Sequence, residues 1–366
     1  MKILLSVFVF FLLIVLQRKV YQHIWKKHLG VTVSFVTPFA VAGERTELEE
    51  VIENKKWFPL PVLRVKFSLN RGLVFEGNEN VTRSDRLYKN DIFSVMPYMR
   101  ITRKHSFLCE QRGLYTVDSL GLSSSDLLMS KTFVETVPEH AKLTVYPSKA
   151  DMKRLLPVFS QMMGQRQMKA LLSDPFSFAG IREYAPTDPM KNINWKATAK
   201  TGELKVNTYD STRALETRIL LDLGSDTEWI DNGVREEAIR IAGTLFSLFV
   251  EKGVVCSLYT NGKDVVSAET SSVSGGATAT HVRMAKEVLA RIDLKKEWIP
   301  AESLTEQLGK DKDVQYVVIT SCENTVSLCH DSGAEGVTAF YLHRPDSDKM
   351  PETEGISLVN WEVRYG

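Results

Sequence analysis

The chain changes its hydrophobic pattern twice along its length. Residues 3–16 form an apolar run whose only polar member is Ser6. From about residue 31 to 146, apolar and polar residues alternate with a period of two, which is typical of half-buried β-strands. After about residue 213, short apolar runs alternate with stretches of helical spacing, as in βαβ units. The pattern predicts an apolar N-terminal helix, then an all-β domain, then an α/β domain.

The N-terminal run predicts a membrane anchor. A helix over 3–16 would span about 21 Å, less than the roughly 30 Å hydrocarbon core of a bilayer. No small-x-small cleavage site follows the run, and Tyr21, Ile24 and Trp25 continue an apolar face, so we expect an uncleaved anchor with an interfacial continuation over 1–29. Basic residues are more numerous after the run than before it. This bias predicts a single-pass protein of the inner (cytoplasmic) membrane whose body faces the cytoplasm.

Residues 30–147 are predicted to form a β-sandwich domain. About seven strands are separated by turn residues at near-regular spacing, which favours an antiparallel, immunoglobulin-like sandwich. Asn70-Arg71-Gly72 and Lys89-Asn90-Asp91 are two of the predicted turns. No catalytic constellation occurs in this region, and we expect the domain to serve contact or spacing.

Residues 213–366 are predicted to form an open, doubly wound α/β sheet. The predicted strands are 216–223, 254–260, 314–320 and 337–342, with a helix over 235–251 after the first. Asn261-Gly262 is a strong hairpin signal and predicts a two-residue turn. In such sheets, ligands bind at the carboxyl ends of the strands where the strand order reverses.

Composition excludes several functions. The chain has 366 residues and a formal net charge of +1, which fits two domains and gives no case for nucleic-acid binding. Its four cysteines have no zinc-binding spacing and are expected to be reduced core thiols. The sequence contains neither a phosphate-binding Gly-Lys-Ser/Thr loop nor a Gly-x-Ser-x-Gly elbow. We therefore expect no enzymatic activity.

A junction over 148–212 contains a segment that is dense in aromatic and basic residues. Its pattern is Gly180, Arg182, Tyr184, Asp188, Ile193, Trp195-Lys196 and Ala199. This pattern resembles the signature of the domain of unknown function 58 family, whose members are bacterial membrane-linked proteins often encoded beside MoxR-type AAA+ ATPases. The resemblance implies such an ATPase as the partner, together with other membrane proteins, and a role in their assembly or maturation. Family members usually carry two N-terminal apolar segments, whereas this chain shows one.

The signature predicts a division of labour between apolar and charged side chains. If the segment is extended, Ile193 and Trp195 face the same side, and with Tyr184 they would form a buried wedge at the junction. The cations would present a basic rim to an acidic partner, because cations are rarely buried without counter-charges. The basic rim consists of Arg182, Lys196 and Lys200, and the predicted binding residues are Arg182, Tyr184, Asp188, Trp195, Lys196 and Lys200.

The α/β domain also resembles a von Willebrand factor A domain, because Asp222 ends its first strand. Metal-binding members carry Asp-x-Ser-x-Ser there and use further oxygens from two later loops to bind a divalent cation such as Mg²⁺. Here Gly224 and Asp226 replace the two serines, and Ser225 is out of register. Further oxygen ligands could come from Ser321 or Glu323, and a hydroxyl from Thr278 or Thr280.

The missing hydroxyls lead us to expect neither a cation nor another cofactor at Asp222. The leading interpretation is therefore a non-enzymatic, membrane-anchored adaptor that contains a sandwich and a von Willebrand factor A-like domain. A metal-dependent ligand-binding or adhesion domain is the alternative, and it would require a working site at Asp222.

Overall fold

The structure is a computed structural model and describes residues 2–75, 81–83, 86–172, 178–186, 188, 190–209, 216–224, 232–296, 298–309 and 314–364. It is a mixed α/β protein with many strands and an apolar N-terminal helix. The chain divides into two compact units, one of Met1–Ser148 with Leu289–Arg291 and one of Lys149–Val288 with Ile292–Gly366.

The first unit combines one helix with two β-sheets in its described part. Its elements are α1 (Lys2–Ile24), β1 (Leu29–Phe35), β2 (Phe39–Val41), β3 (Arg45–Asn54), β4 (Leu60–Leu69), β5 (Leu73–Phe75), β6 (Val81–Arg83), β7 (Leu87–Val95), β8 (Arg100–Cys109), β9 (Gly113–Ser125) and β10 (Thr132–Tyr146). One sheet has the order β1-β3-β8-β5 and the other β2-β10-β9-β4-β7-β6. All pairs are antiparallel except β2 with β10, which is parallel.

Both sheets contribute side chains to one core. Ile52 of β3 and Phe107 of β8 belong to the first sheet, and Leu63 of β4 and Val117 of β9 belong to the second; all four are 0% exposed and part of the same cluster. Because strand side chains alternate between faces, the residues between them are more exposed. This is the β-sandwich that the period-two pattern predicts.

Helix α1 is continuous over 23 residues, or about 34 Å at 1.5 Å per residue. Its apolar part is exposed, and the segment Ile3–Ile24 contains an 18-residue window with a mean hydropathy of 2.2, so the helix is long and apolar enough to cross a membrane. Such N-terminal helices occur in membrane anchors and in signal sequences. The expected interfacial continuation is wrong for Tyr21 and Trp25, which are 0% and 3% exposed within the sandwich core. That core offers their rings closer apolar partners than a lipid headgroup layer does.

The predicted turn Lys89-Asn90-Asp91 is wrong, because these residues lie inside β7. Lys89 and Asp91 point into the sandwich and are 4% and 2% exposed. Their ammonium and carboxylate groups lie 3.1 Å apart, so each charge has a partner where an isolated charge could not be buried. Asn70-Arg71-Gly72, by contrast, does connect β4 to β5.

The second unit contains a small two-stranded sheet and a larger six-stranded one in its described part. Its elements are α2 (Met152–Leu172), β11 (Phe178–Glu183), α3 (Trp195–Thr201), β12 (Lys205–Tyr209), β13 (Glu216–Leu221), α4 (Asn232–Glu251), β14 (Cys256–Lys263), β15 (Thr270–Gly276), α5 (Ala279–Arg291), α6 (Glu302–Thr305), β16 (Val314–Thr320), α7 (Glu323–Asp331), β17 (Val337–His343) and β18 (Ile356–Glu362). The large sheet has the order β15-β14-β13-β16-β17-β18. All its strands are parallel except β15, which pairs antiparallel with β14.

The order of the large sheet reverses at β13. The chain passes from β13 through α4 to β14 on one side, and later enters β16 on the other side of β13. β16 and β17 are buried at every position, as expected for parallel strands that are covered on both faces. The carboxyl end of β13 is therefore the place where an open α/β sheet usually binds its ligand.

The predicted turn at Asn261-Gly262 is also wrong, because β14 continues through both residues to Lys263. Asn261 is 1% exposed, and its side chain hydrogen-bonds to groups at the end of β13. A Cβ at Gly262 would come within 2.7 Å of Leu223 and 2.8 Å of Ile292. The glycine thus permits close packing rather than a turn.

Candidate interaction surface

The signature residues form a small subdomain in the second unit. β11 and β12 pair antiparallel, from Glu183 with Lys205 to Phe178 with Tyr209, and α3 lies between them in sequence. Ile193 forms a bridge with Val206, and both side chains are buried, at 6% and 2% exposed. This apolar pair anchors the segment that leads into α3.

Arg182 and Asp188 brace the loop after β11. The guanidinium donates two hydrogen bonds to the carboxylate, at 2.7 and 2.5 Å, and the backbone N–H of Ala185 donates a third at 2.9 Å. These hydrogen bonds from Arg182 and then Ala185 hold the pKa of Asp188 below its usual value. Arg182 therefore makes a bidentate pair within the fold while half of its side chain stays exposed, and its place in a basic rim stays a prediction.

Helix α3 has a defined start and end. The Asn194 side chain accepts a hydrogen bond from the N–H of Ala197 at 2.9 Å, which caps the first turn. Its amide also donates to Asn207 at 2.7 Å, which ties the cap to β12. At the other end, Gly202 adopts φ 74° and its N–H bonds back to Thr198, as in an αL C-cap.

Trp195 does not form the predicted buried wedge. The cap at Asn194 starts a helix at Trp195, so the alternation of an extended segment ends at Ile193. Ile193 is buried, whereas Trp195 is 67% exposed. Tyr184 is half-buried, and its N–H bonds to the carbonyl of Leu204 at 2.9 Å, which places it in the frame of the subdomain.

Lys196 and Lys200 lie one turn apart on α3, which has no buried residue. Both are exposed, and neither makes a hydrogen bond or an ion pair with the residues that the structure describes. Like charges four residues apart destabilise a helix slightly. We define the α3 surface as Trp195, Lys196 and Lys200, which are one large aromatic ring and two cations exposed on the same short helix.

The carboxylate of Asp222 is buried and fully hydrogen-bonded. Oδ1 accepts from the N–H of Gly224 at 2.9 Å and from Nδ2 of Asn261 at 2.7 Å. Oδ2 accepts from the hydroxyls of Thr320 at 2.8 Å and Thr325 at 2.6 Å. A carboxylate has about four lone-pair positions, so protein donors occupy all of them. A cation ligand would have to displace one of these donors.

A buried arginine lies close to the carboxyl end of β13. Arg235 of α4 is 7% exposed and donates from Nε to the carbonyl of Leu223 at 3.0 Å. Its guanidinium stacks 3.8 Å from the ring centre of Trp298. Burial lowers the pKa of Arg235, and the charge of Asp222 is among those that oppose the shift. The fold thus supplies its own positive charge beside the aspartate.

The other proposed metal ligands do not assemble around Asp222. Ser321 donates to the carbonyl of Gly224 at 3.3 Å, and Glu323 accepts from Tyr341 at 3.5 Å. Asp226 and Ser225 lie outside the described residues. Thr278 and Thr280 follow β15, whose last residue pairs with Cys256 at the start of β14, so they lie at the opposite edge of the sheet.

Sequence reasoning missed Asn261, Thr320 and Thr325. A signal for one of them is present: Thr320 ends β16, and the register that pairs Leu221 with Ile319 sets Asp222 beside it. The sequence pattern assigns Asn261 to a turn and gives Thr325 no role.

A second buried charged group lies in the sandwich. Glu50, Asp91 and His105 place ligand-type atoms within 4.8 Å of one another, the only such trio in the part of the chain that the structure describes. Lys89 lies 3.1 Å and Arg103 3.3 Å from Asp91, so two cations already balance the two acids. Both oxygens of Glu50 lack a hydrogen bond, and Nε2 of His105 lies 3.5 Å from Oε2 of Glu50.

Comparison with protein families identifies the region that contains the α3 surface. Residues 180–309 match the family model described as Protein of unknown function DUF58. This matched segment covers about a third of the chain. The match starts at Gly180, the first residue of the signature, and confirms the resemblance that the signature indicates. No curated protein gives a significant match to the chain.

Solved structures resemble about a third of the chain. A CARDB domain of the PF1109 protein from Pyrococcus furiosus is 17% identical, with 32% of this chain and 91% of that chain covered and a TM-score of 0.22. A non-cellulosomal cohesin from Archaeoglobus fulgidus is 13% identical, with 31% and 90% covered and a TM-score of 0.22. The human CEP192 ASH/PapD-like domain is 13% identical, with 31% and 84% covered and a TM-score of 0.18. Such low scores carry no argument about this chain.

Proposed function

We propose that this protein is a non-enzymatic, membrane-anchored adaptor that binds a partner protein through the α3 surface. The partner is a MoxR-type AAA+ ATPase, which the DUF58 resemblance implies, and the process is assembly or maturation of other membrane proteins. Helix α1 serves as a single-pass anchor in the inner membrane, and the two units face the cytoplasm. The basic residues after the apolar run support this orientation.

The observation that carries the proposal is the exposure of Trp195 on a supported helix. Trp is prominent among the residues that dominate binding energy at interfaces. The caps at Asn194 and Gly202 fix the helix before any partner arrives, so binding does not require folding of this segment. The two exposed lysines of the same helix favour an acidic partner surface.

The large sheet of the second unit is proposed to be a von Willebrand factor A-like domain that works without a divalent cation. The reversal of strand order at β13 and the position of Asp222 support the likeness, and the four donors to Asp222 support cation independence. Titration of EDTA-treated protein with Mg²⁺ or Mn²⁺ should reveal no site at Asp222 tighter than about millimolar. A micromolar site lost in Asp222→Ala would restore the adhesion alternative.

The proposal is tested by direct binding of the purified MoxR-type ATPase of the same organism to the full chain in lipid nanodiscs. Trp195→Ala, and Lys196→Glu with Lys200→Glu, should each weaken binding at least about tenfold, which corresponds to about 1.4 kcal/mol. Lys153→Glu is the matched control, because Lys153 is an exposed lysine on α2. Equal affinity of all variants would contradict the α3 surface, and no binding by the unaltered chain would contradict the partner.

A further inference from the structure

The end of the sandwich from which α1 leaves carries unusually apolar loops. Between β9 and β10, Leu127, Leu128 and Met129 are consecutive and are 43%, 57% and 69% exposed. Single exposed apolar residues are ordinary, but three in a row at a loop tip are not. The loop lies directly beside the helix, because Arg18 of α1 donates to the hydroxyl of Ser130 at 3.1 Å.

The structure holds this loop in a fixed shape. Asp126 is 0% exposed, and its carboxylate accepts hydrogen bonds from the N–H and the hydroxyl of Ser130, at 2.6 and 2.5 Å, and from the N–H of Lys131 at 3.2 Å. The N–H of Met129 bonds back to the carbonyl of Asp126 at 2.9 Å. The polar groups of the turn are thus satisfied inward while its apolar side chains face outward.

Two further loops at the same end expose aromatic and methionine side chains. Trp57 is 64%, Met96 57% and Tyr98 72% exposed. The N–H of Tyr98 bonds to the carbonyl of Lys56 at 3.2 Å, which joins the two loops. The buried Lys56 amine donates to the carbonyls of Trp25 and Lys27, just beyond α1, at 2.7 and 2.9 Å. These loops are therefore fastened to the base of the helix.

We propose that these six side chains dip into the lipid surface around α1; we call Trp57, Met96, Tyr98, Leu127, Leu128 and Met129 the apolar rim. The inference rests on the proposed anchoring by α1. Leu16, the last residue of the apolar run, lies two residues before Arg18, or about 3 Å along the axis. The hydrocarbon boundary set by α1 therefore falls at the level of the loop that Arg18 contacts.

The chemistry of the rim fits a bilayer surface. Tryptophan and tyrosine concentrate at membrane–water interfaces, where the ring is apolar and its N–H or O–H is wet. Lys19 of α1 is exposed at the same end and suits anionic headgroups. A helix that enters lipid at this end brings the rim to the membrane without any further partner. The rim would hold the sandwich against the membrane rather than on a free stalk.

The experiment places single fluorescent labels in the full-length protein reconstituted into liposomes with anionic lipid. The four native cysteines are buried, and burial raises the pKa of Cys109 to about 11 and of Cys329 to about 12, so introduced, exposed cysteines react first. Leu128→Cys and Tyr98→Cys report on the rim and Phe10→Cys reports on α1. Arg71→Cys is the control, in the exposed loop at the far end of β4.

Nitroxide-labelled lipids quench a label that lies in the membrane. We expect headgroup and shallow acyl nitroxides to quench the labels at 98 and 128 at least about twofold more than the label at 71, and deep nitroxides to quench the label at 10 most strongly. If 10 is quenched while 98 and 128 behave like 71, the rim proposal is wrong and the anchor stands.

Other outcomes also overturn the proposal, and each points to a different cause. If the label at 10 escapes quenching, α1 does not enter lipid and the proposed anchoring fails with the rim. Rim labels that are shielded from water but unquenched by lipid nitroxides would show a protein covering the rim, either a second copy or another chain. Near-UV circular dichroism of each variant confirms that the sandwich is folded.

Discussion

The carboxyl end of β13 and the α3 surface lie in one unit and treat their polar groups in opposite ways. Asp222 is 1% exposed, and donors of the fold occupy all of its acceptor positions. Trp195 is 67% exposed, and the two lysines of the α3 surface have no partner among the described residues. The first region is complete without a ligand, whereas the second gains contacts only when another molecule binds.

The difference shows that position in a fold does not make a site. The end of β13 is where open α/β sheets usually bind ligands, yet here Asn261, Thr320 and Thr325 use the aspartate as a structural acceptor. The α3 helix has no such positional precedent, but its side chains are exposed and its backbone is fixed by two caps. The two regions differ in how many side chains they leave exposed and without a protein partner among the described residues.

The largest expected effect is the loss of stability in Asp222→Ala. The substitution leaves four donors without their acceptor in a buried region, and removal of one member of such a network costs about 3–5 kcal/mol. Urea unfolding of the detergent-solubilised full chain measures the change. Asp222→Asn keeps the shape and one carbonyl oxygen, so it should cost less. If Asp222→Ala unfolds like the unaltered protein, the network is not structural.

A smaller effect on stability is expected in the sandwich, where both oxygens of the buried Glu50 carboxyl group lack a hydrogen bond. Burial raises the pKa of Glu50, so the folded protein holds a proton that the unfolded chain releases. Stability should therefore fall as pH rises from the ordinary glutamate pKa through the raised one, by about 1.4 kcal/mol for each pH unit that separates the two pKa values.

Glu50→Gln removes this proton uptake and should flatten the decline, with higher stability at neutral pH. Asp91 has the opposite pH dependence. Burial would raise the pKa of Asp91, but Lys89 outweighs burial and lowers that pKa. The stabilisation that Asp91 contributes is therefore present at neutral pH and is lost in acid. Thermal melting between pH 3 and 8 measures both pH dependences. A decline that persists unchanged in Glu50→Gln would rule out Glu50 as its source.

The smallest effect on stability is expected at α3. Because Trp195 is exposed rather than wedged, Trp195→Ala should change the free energy of unfolding by no more than about 0.5 kcal/mol, as surface substitutions do. Lys196→Ala with Lys200→Ala should be neutral or slightly stabilising, since it removes a like-charge pair. Ile193→Ala is the contrasting variant, because Ile193 is buried; a loss there of about 2–5 kcal/mol is expected. If Trp195→Ala melted as early as Ile193→Ala, the Trp195 ring would be buried rather than exposed.

Much of the fold could be predicted from local pattern. The predicted strand at 314–320 has the observed bounds, and the predicted strand at 337–342 and helix at 235–251 differ from the observed elements by one to three residues. The two strands are apolar runs that are buried at every position, and the helix is long with an apolar face, so local sequence determines them. The turns predicted at Lys89-Asn90-Asp91 and Asn261-Gly262 are wrong, because Lys89 and Asp91 pair with each other inside β7 and Asn261 finds its partners at the end of β13.

The candidate site was less predictable because its partners are remote in sequence. Asp222 lies 39 residues from Asn261 and 103 from Thr325 in the network, and no local pattern reports such pairs. The predicted burial of Trp195 fails because one cap, Asn194, changes the backbone from extended to helical. The Asn-x-x-Ala start is visible in the sequence but has no strong apolar period behind it.

The most direct test of the account replaces single residues by a photo-crosslinking amino acid in living cells. The substituted positions are Trp195 on α3, Asn324 near the carboxyl end of β13, and Lys153 on α2 as background. All three are exposed. The account predicts a protein adduct that contains the MoxR-type ATPase at 195, and only background at 324 and 153. Adducts concentrated at 324, with none above background at 195, would contradict it and return the binding function to the end of β13.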